Sequence, residues 1–184
     1  LTRDILEAFP DEEEYKIGLN FNSFVRDEWI GLTWAHKLND RLSLGISGFG
    51  SSYKSEGRNT LEYTVLASSD NVAFLQTASS YRQRSYGLIL KLGANYNLPF
   101  MDIGLNINLP YIEIINDGRF NFRNTIAGIS PSDDQVIDYD FRDLDAKRRE
   151  PFGVSLGAGI PVGKSKIHVN TDYVASQGGY QRIQ

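Results

Sequence analysis

The feature of this sequence that most limits its fold is a repeated alternation of apolar with small or polar residues. Between Tyr86 and Leu98 every second residue is large and mostly apolar, and the residues between them are mostly glycine, asparagine or lysine. The same alternation returns from Asp102 to Leu109 and from Phe152 to Ile160. Because successive side chains of a β-strand point to opposite faces, each segment predicts a strand with one apolar face. The chain is therefore predicted to be all-β, and its function depends on whether that face meets a protein core or lipid.

The composition excludes several classes of function. A mean hydropathy of −0.34, without an apolar run of about 18 residues, excludes a helical membrane span but not a β-barrel, whose strands are apolar on one side only. The chain has no cysteine, which excludes disulfides and thiolate metal sites. A net charge of −4 argues against nucleic-acid binding. No signal peptide opens at Leu1, so we expect that an export signal was removed or lies upstream.

The pattern predicts seven strands in one antiparallel sheet. Residues 1–14 are expected to be an N-terminal extension, and residues 176–184 to start a further outer loop or strand. Tight turns are predicted at 39–40, 99–100 and 163–165, and the charged residues 26–28 predict another turn. The predicted strands are 15–25, 29–38, 41–53, 82–98, 101–114, 151–162 and 166–175.

The connections between these strands alternate between short and long. Two long connections, 54–81 and 115–150, are expected to be outer loops, and the short turns would all share the opposite edge. This arrangement is typical of outer-membrane barrels, whose strands need about 9–11 residues to cross the bilayer. The polar faces carry Gly, Asn and Ser rather than the Lys, Glu and Thr of an exposed sheet. We therefore predict an up-and-down transmembrane β-barrel over 15–175, with a soluble β-sandwich as the alternative.

Three hairpins resemble those of FadL-type outer-membrane transport proteins of Gram-negative bacteria. They comprise Trp29–Gly50, the pair Leu90–Tyr96 and Ile103–Pro110, and the stretch from Arg149 to Tyr173. The resemblance implies a barrel of about fourteen strands that takes up hydrophobic molecules such as long-chain fatty acids through the outer membrane. It also implies an N-terminal hatch and lateral release of the ligand through the barrel wall. Seven strands are half of such a barrel, so we expect this chain to be a portion of one, with residues 15–25 and 166–175 as open edges.

Two motifs suggest chemistry that their surroundings do not favour. Ala158–Ser165 fits a loose phosphate-binding loop, but an alternating strand follows it where a helix is needed, so a hairpin turn is the preferred interpretation. His36 and His168 have no recognisable nucleophile motif near them. We therefore expect no enzymatic activity and no cofactor.

The two long connections carry the remaining candidate sites. The acidic run Asp138–Asp145 could bind calcium, but a solvated outer loop whose cations meet lipopolysaccharide is favoured. Those cations are Arg142, Lys147, Arg148 and Arg149. The apolar residues of 61–81, among them Phe74 and Leu75, are weak candidates for contacts with an apolar ligand. A loop helix packed on the barrel rim or on a partner chain is an equal alternative for this stretch.

Two functions of different classes follow from this interpretation. The first is passive uptake of hydrophobic small molecules across the outer membrane. The second is a non-transporting barrel that acts as a subunit or scaffold of an outer-membrane protein complex, such as a secretion or assembly machinery. The expected partners are outer-membrane lipid, lipopolysaccharide, a fatty acid or similar ligand, and other outer-membrane proteins, but no nucleic acid.

Overall fold

In a computed structural model, the chain forms one eight-stranded antiparallel sheet that is curled into a half-barrel. The structure describes residues 12–67, 72–128 and 134–184. None of these residues belongs to a helix long and apolar enough to span a membrane. The predicted all-β, antiparallel fold is confirmed, with one strand more than expected. The strands are β1 (Glu12–Lys37), β2 (Leu42–Ala67), β3 (Val72–Asn97), β4 (Asp102–Asn108), β5 (Ile112–Ala127), β6 (Gln135–Leu144), β7 (Gly153–Val162) and β8 (Ser165–Val174).

Three strands are far longer than a bilayer requires. Each of β1, β2 and β3 has 26 residues, which corresponds to about 85 Å of extended chain. β3 is shared between two neighbours, because residues 91–97 pair with β4 and residues 74–88 pair with β5. We call the part next to the tight turns the turn half (29–37, 42–51, 88–97, β4, β7 and β8). The distal half comprises 12–28, 52–67, 72–87, β5 and β6.

The tight turns predicted at one edge of the sheet are confirmed. They join β1 to β2, β3 to β4 and β7 to β8. In the first, the side-chain oxygen of Asn39 accepts hydrogen bonds from the backbone N–H groups of Arg41 and Leu42, each at 2.9 Å. In the third, Gly163 has a φ of 62°, which glycine adopts without the steric cost of a side chain. The hairpin interpretation of the segment around Gly163 is therefore correct.

The turn expected at residues 26–28 is wrong. β1 runs through these residues without a register shift and pairs Arg26, Asp27 and Glu28 with Lys54, Tyr53 and Ser52. Consequently the first two predicted strands are one strand. Three consecutive charges are tolerated here because alternate side chains leave the sheet on opposite faces.

The prediction of two long outer loops at 54–81 and 115–150 is also wrong. Residues 54–67 and 72–81 continue β2 and β3, and most of 115–150 forms β5 and β6. The loop helix considered for 61–81 is thus absent from the described part of this stretch. Of the expected extension 1–14, residues 12–14 open β1 and the others lie outside the described residues. Residues 176–184 contain no strand, only a bridge between Ile183 and Ala146.

The two faces of the sheet differ in burial. Nearly all buried side chains of β2 and β3 lie on one face, which we call the inner face: Ser51, Ser55, Val65, Ala73, Leu75, Gln83, Ser85 and Ile89. The opposite, outer face is exposed or partly exposed in the turn half, where Leu32 has an exposed fraction of 86%. A hydrophobic core in the usual sense is small and consists of Val65, Ala73 and Leu75, with Tyr63 and Ile126 packed against them.

The apolar residues change face between the two halves of the sheet. In the turn half they lie on the outer face: Ile30, Leu32, Trp34, Leu44, Ile46, Leu88, Leu90, Leu92, Leu105, Ile107, Leu156 and Val169. Lys91, Asn95, Asn106, Asn108 and His168 occupy the inner face there. In the distal half most apolar residues occupy the inner face, including Ile17, Leu19, Phe21, Leu61 and Tyr63, and fewer lie on the outer face, such as Phe24, Leu66 and Phe74. No bulge separates the two halves of β1, so the change of face comes from the order of apolar and polar residues in the sequence and not from a shift of the strand.

The sheet remains open at both lateral edges. In the described part of the chain β1 pairs only with β2, and β8 pairs only with β7. The prediction that these segments do not pair with each other is confirmed, although the first edge is the whole of β1 rather than residues 15–25.

Candidate functional site

A short segment between β6 and β7 lies across the inner face and forms a polar site with residues of β1, β2, β3 and β5. We call residues 145–150 the strap. Ala146 in the strap is fully buried, and the side-chain amide of Gln83 on β3 donates hydrogen bonds to the carbonyl oxygens of Ala146 (3.4 Å) and Lys147 (2.9 Å). The backbone N–H of Ala146 donates to the side chain of Asn116 on β5 at 3.2 Å. The strap is therefore fixed to β3 and β5 at the boundary between the two halves of the sheet.

Arg148 is the central residue of the strap. Its guanidinium forms a bidentate pair with Asp27 on β1, at 3.1 and 2.8 Å, and donates to the hydroxyl of Ser51 on β2 at 3.0 Å. It also forms an ion pair with Glu150. The ring centres of Tyr53 and Tyr111 lie 4.4 and 4.7 Å from its central carbon, within cation–π range. Only 9% of the side chain is exposed, so the charge is held by protein groups rather than by water.

The electrostatics of this pair keep both groups charged. Partial burial alone would raise the pKa of Asp27, but hydrogen bonds from Arg148, Trp29 and Ser51 and the charge of Arg148 lower it below its usual value. Burial likewise opposes the charge of Arg148, and the two carboxylates overcome it and raise its pKa. The strap is thus tied to β1 by a charge-assisted bidentate contact, the stronger kind of hydrogen bond.

Glu113 on β5 supports the strap from the other side. Its carboxylate accepts hydrogen bonds from the backbone N–H of Arg148 at 3.0 Å and from the hydroxyl of Ser85 at 2.8 Å. Two glycines make room for this arrangement. A Cβ at Gly87 would lie 2.6 Å from the ring of Tyr111, and one at Gly118 would lie 3.0 Å from the Cβ of Ala146. Side chains at these positions would displace the groups that hold Arg148.

Beyond the strap, the inner face of the distal half is apolar and rich in aromatic rings. On β5 and β6, Phe122 stacks on Tyr139 at 6.4 Å, and Tyr139 stacks on Phe141 at 6.2 Å between ring centres. On β1 and β2, Leu19 lies opposite Leu61 on the same face. Phe21 and Leu19 have exposed fractions of 72% and 64%, so this surface is open at the β1 edge. It can accommodate an apolar molecule or an apolar protein surface.

On the other side of the strap, the inner face of the turn half is polar. The ammonium of Lys91 lies 5.0 Å from the ring centre of Trp29 and 5.9 Å from that of Phe49. The hydroxyls of Thr33 and Ser47 are hydrogen-bonded at 2.9 Å. Trp29 and Tyr53 lie on the inner face, whereas Trp34 and Tyr96 lie on the outer face.

The weak ligand candidates Phe74 and Leu75 are adjacent residues of β3 and therefore belong to opposite faces. Leu75 is buried in the inner-face cluster with Val65 and Ala73, whereas Phe74 is partly exposed on the outer face. The two cannot contact one ligand from the same side of the sheet. A role of either in ligand binding stays a prediction.

The acidic run does not form a carboxylate cluster for calcium. In the described residues no group of three His, Cys, Asp or Glu side chains could hold a metal ion. Asp138 pairs with Arg123 at 2.6 Å, and Asp140 pairs with Arg119 and Arg142, each at 2.7 Å. Hydrogen bonds from Arg119 and Arg142 lower the pKa of Asp140 to about 2. The run is strand β6 rather than a loop, and its charges stabilise the β5–β6 pair.

The four cations expected to meet lipopolysaccharide are engaged within the protein. Arg142 pairs with Asp140, Lys147 pairs with Asp145, and Arg148 in the strap pairs with Asp27. The guanidinium of Arg149 lies 5.0 Å from the ring centre of Tyr180. The histidines are far apart in the sheet, since His36 on β1 stacks on Trp34 and His168 lies on β8.

Sequence reasoning missed the strap and its partners. The local sequence predicts a solvated loop for Arg148 and a turn for Asp27, because each stands in a run of charges. The sequence gives little indication that Arg148 and Asp27 pair, because the two residues are 121 positions apart in the chain. Comparison with known proteins adds nothing, because no family model, curated protein or solved structure matches this chain.

Proposed function

We propose that this chain is the portion of a Gram-negative outer-membrane β-barrel that takes up hydrophobic small molecules, such as long-chain fatty acids. In this proposal the turn half crosses the membrane with the tight turns on the periplasmic side. The distal half projects beyond the outer leaflet. The observation that carries the proposal is the change of face of the apolar residues between the two halves.

The outer face of the turn half supports the membrane assignment. From Leu88 to Tyr96 the apolar residues of β3 cover about 26 Å along the strand, or about 20 Å of bilayer depth at a barrel tilt of about 40°. Outer-membrane barrels have an apolar band about 25 Å tall. A soluble protein would leave Leu32 and Ile30 exposed to water at 86% and 83%. A contiguous apolar surface of this kind is usually an interaction surface.

The inner face of the distal half supports the hydrophobic ligand. Above the membrane, an apolar lining on the lumen side is unfavourable in a water-filled pore. An apolar ligand that binds there removes the rings of Phe122, Tyr139 and Phe141 from water, at roughly 25 cal/mol per Å². The strap then separates this apolar region from the polar inner face of the turn half.

A matched pair of variants in the full-length protein tests this function. Leu61→Asp places a charge on the inner face, and Thr60→Asp places the same charge on the outer face one residue away. Reconstituted into vesicles, the parent protein is expected to speed the uptake of a fluorescent long-chain fatty acid. Leu61→Asp should lower binding and uptake at least tenfold, and Thr60→Asp should leave both near the parent values. No uptake by the parent, or equal loss in both variants, would contradict the proposal.

The strap supports the scaffold function as a second candidate. It occupies the inner face at the level through which a transported molecule would pass, and the apolar inner face beyond it is open at the β1 edge. An apolar surface of a partner protein could cover Leu19 and Phe21 equally well. Site-specific photo-crosslinking at Phe21 in cells distinguishes the two functions. A protein crosslink without fatty acid uptake would favour the scaffold.

A further inference from the structure

The outer face of the distal half carries a row of three cations just beyond the apolar band. Arg26, Lys54 and Arg84 are register partners on β1, β2 and β3 and share the outer face. The last apolar row, Ile30, Gly50 and Leu88, lies four residues away along each strand. Because neighbouring strands are about 4.8 Å apart, the Cα atoms of the three residues lie within about 10 Å.

Two further arginines extend this row into a basic surface. Arg58 on β2 and Arg82 on β3 line an outer-face groove of about 700 Å³, together with Arg119. We call Arg26, Lys54, Arg58, Arg82 and Arg84 the basic belt. The acids next to it, Glu28, Glu56 and Asp117, number fewer than its cations. The belt is therefore positive in a chain whose net charge is −4.

The belt is incompletely neutralised by the protein. Arg26 pairs with Glu28 at 2.5 Å and Lys54 with Glu56 at 2.9 Å, but Arg82 only approaches Asp117 at 3.9 Å. Within residues 12–67, 72–128 and 134–184, neither Arg58 nor Arg84 has an acid within salt-bridge distance. The Nε of Arg82 is inaccessible to solvent and has no hydrogen-bond partner among these residues. Arg84 lies opposite Lys54 on β2 and opposite Asp117 on β5. Like charges opposite each other destabilise a sheet, so an external anion would relieve the repulsion among Arg26, Lys54 and Arg84.

The height of the belt identifies the anion, provided that the apolar band crosses the membrane as proposed above. Arg84 lies four residues beyond Leu88, which is about 13 Å along the strand and about 10 Å in height at the tilt of a barrel strand. The headgroup layer extends about 5–8 Å beyond the hydrocarbon core. Long basic side chains can bridge the remaining distance between the height of Arg84 and the headgroup layer, because their charged ends reach back while their apolar stems cover the protein surface.

We propose that the basic belt binds the phosphate groups of outer-leaflet lipids, namely the phosphorylated glycolipid lipopolysaccharide. Arginine donates bidentate hydrogen bonds to phosphate, and Arg58 and Arg84 have donors for such contacts. The belt adds a second candidate contact with lipopolysaccharide to the cations of 142–149, which likewise contact groups of the protein.

The test measures lipid binding to the full-length protein purified in detergent. Three probes are compared: lipopolysaccharide, its enzymatically dephosphorylated form and inorganic phosphate. The variant Arg26→Gln/Lys54→Gln/Arg84→Gln removes the row, and Arg123→Gln/Arg142→Gln/Lys91→Gln removes the same charge elsewhere. We expect the first variant to bind lipopolysaccharide at least tenfold more weakly than the parent, because it loses the cations that contact phosphate. The second variant should bind less than threefold more weakly than the parent, because the belt is intact. The parent should bind the dephosphorylated lipid at least tenfold more weakly than the intact one.

Several outcomes would overturn the proposal. They are equal binding of both lipid forms by the parent, unchanged binding by the first variant, or inorganic phosphate competing as well as the lipid. If the first variant does not fold, Arg58→Gln and Arg84→Gln are made singly. Unchanged lipopolysaccharide binding in both would also overturn the proposal. Fatty acid uptake by the first variant separates this proposal from the proposed function. Lost lipid binding with normal uptake supports both, whereas phosphate-dependent binding without uptake by the parent contradicts only the transport function.

Discussion

Replacing Leu32 by arginine decides whether the outer face of the turn half meets lipid or water. The side chain is 86% exposed, so Leu32→Arg removes almost no packing within the chain. If this face were in water, the substitution would change the free energy of unfolding by no more than about 0.5 kcal/mol, as is usual at surface positions. In lipid an arginine costs about 2–4 kcal/mol at the bilayer midplane, and Leu32 lies about 5 Å in height from the centre of the apolar band at Trp34.

The two alternatives therefore differ by a measurable factor. A cost of about 2–4 kcal/mol corresponds to a roughly 30- to 700-fold change in the folding equilibrium. The neighbouring substitution Thr33→Arg is the control, because Thr33 lies on the inner face beside Ser47. Its replacement loses one exposed hydrogen bond, which contributes about 1 kcal/mol or less. Membrane crossing thus predicts a cost for Leu32→Arg that exceeds the cost for Thr33→Arg by at least 1 kcal/mol.

The assay is reversible folding of the full-length protein into lipid vesicles, titrated with urea and followed by tryptophan fluorescence. Parent, Leu32→Arg and Thr33→Arg are compared at one lipid composition and one salt concentration. We expect a lower unfolding midpoint for Leu32→Arg than for Thr33→Arg, with similar slopes. Equal midpoints for the two variants, or a midpoint for Leu32→Arg within error of the parent, would refute the membrane assignment.

Three further predictions concern the strap and the β5–β6 pair. Arg148→Gln leaves two carboxylates without their cation, and should lower the free energy of unfolding by roughly 1–3 kcal/mol in urea titration; an unchanged midpoint would contradict the role of the strap. Gly118→Ala should cost about 1–3 kcal/mol, because its Cβ would lie 2.9 Å from a backbone oxygen, whereas Gly104→Ala has open space and should cost nothing. The stabilisation from Asp140, whose lowered pKa is about 2, is present above about pH 3.8 and is lost as the pH falls through 2. Hydrogen exchange of β5 and β6 should show this loss in the parent but not in Asp140→Asn.

The turn half of the sheet could be predicted from the sequence because two independent signals agree there. Period-2 alternation of leucine with glycine or asparagine defines the strands, and Asn39, Pro99 and Gly163 mark the turns. In the distal half the same period is present but carries different residues. From Lys54 to Thr64 the outer face is charged or polar, and the inner face begins with small residues before Leu61. Charge and small side chains are also typical of loops, so the local sequence predicts a connection here rather than a strand.

The charges of residues 26–28 show why the strap and the change of face were missed together. A run of three charged residues predicts a turn when it is considered as local sequence, because turns are exposed. In the structure the run marks the row at which the apolar stripe passes from one face of β1 to the other. Asp27 is the one member of the run on the inner face, and its partner Arg148 comes from a segment 121 residues away. Neither residue alone differs from a surface charge, so only the fold could bring out the pair. A sheet whose apolar residues change face has polar residues on both faces at the crossing. On the inner face Arg148 pairs with the charge of Asp27, and on the outer face the crossing is where the basic belt begins.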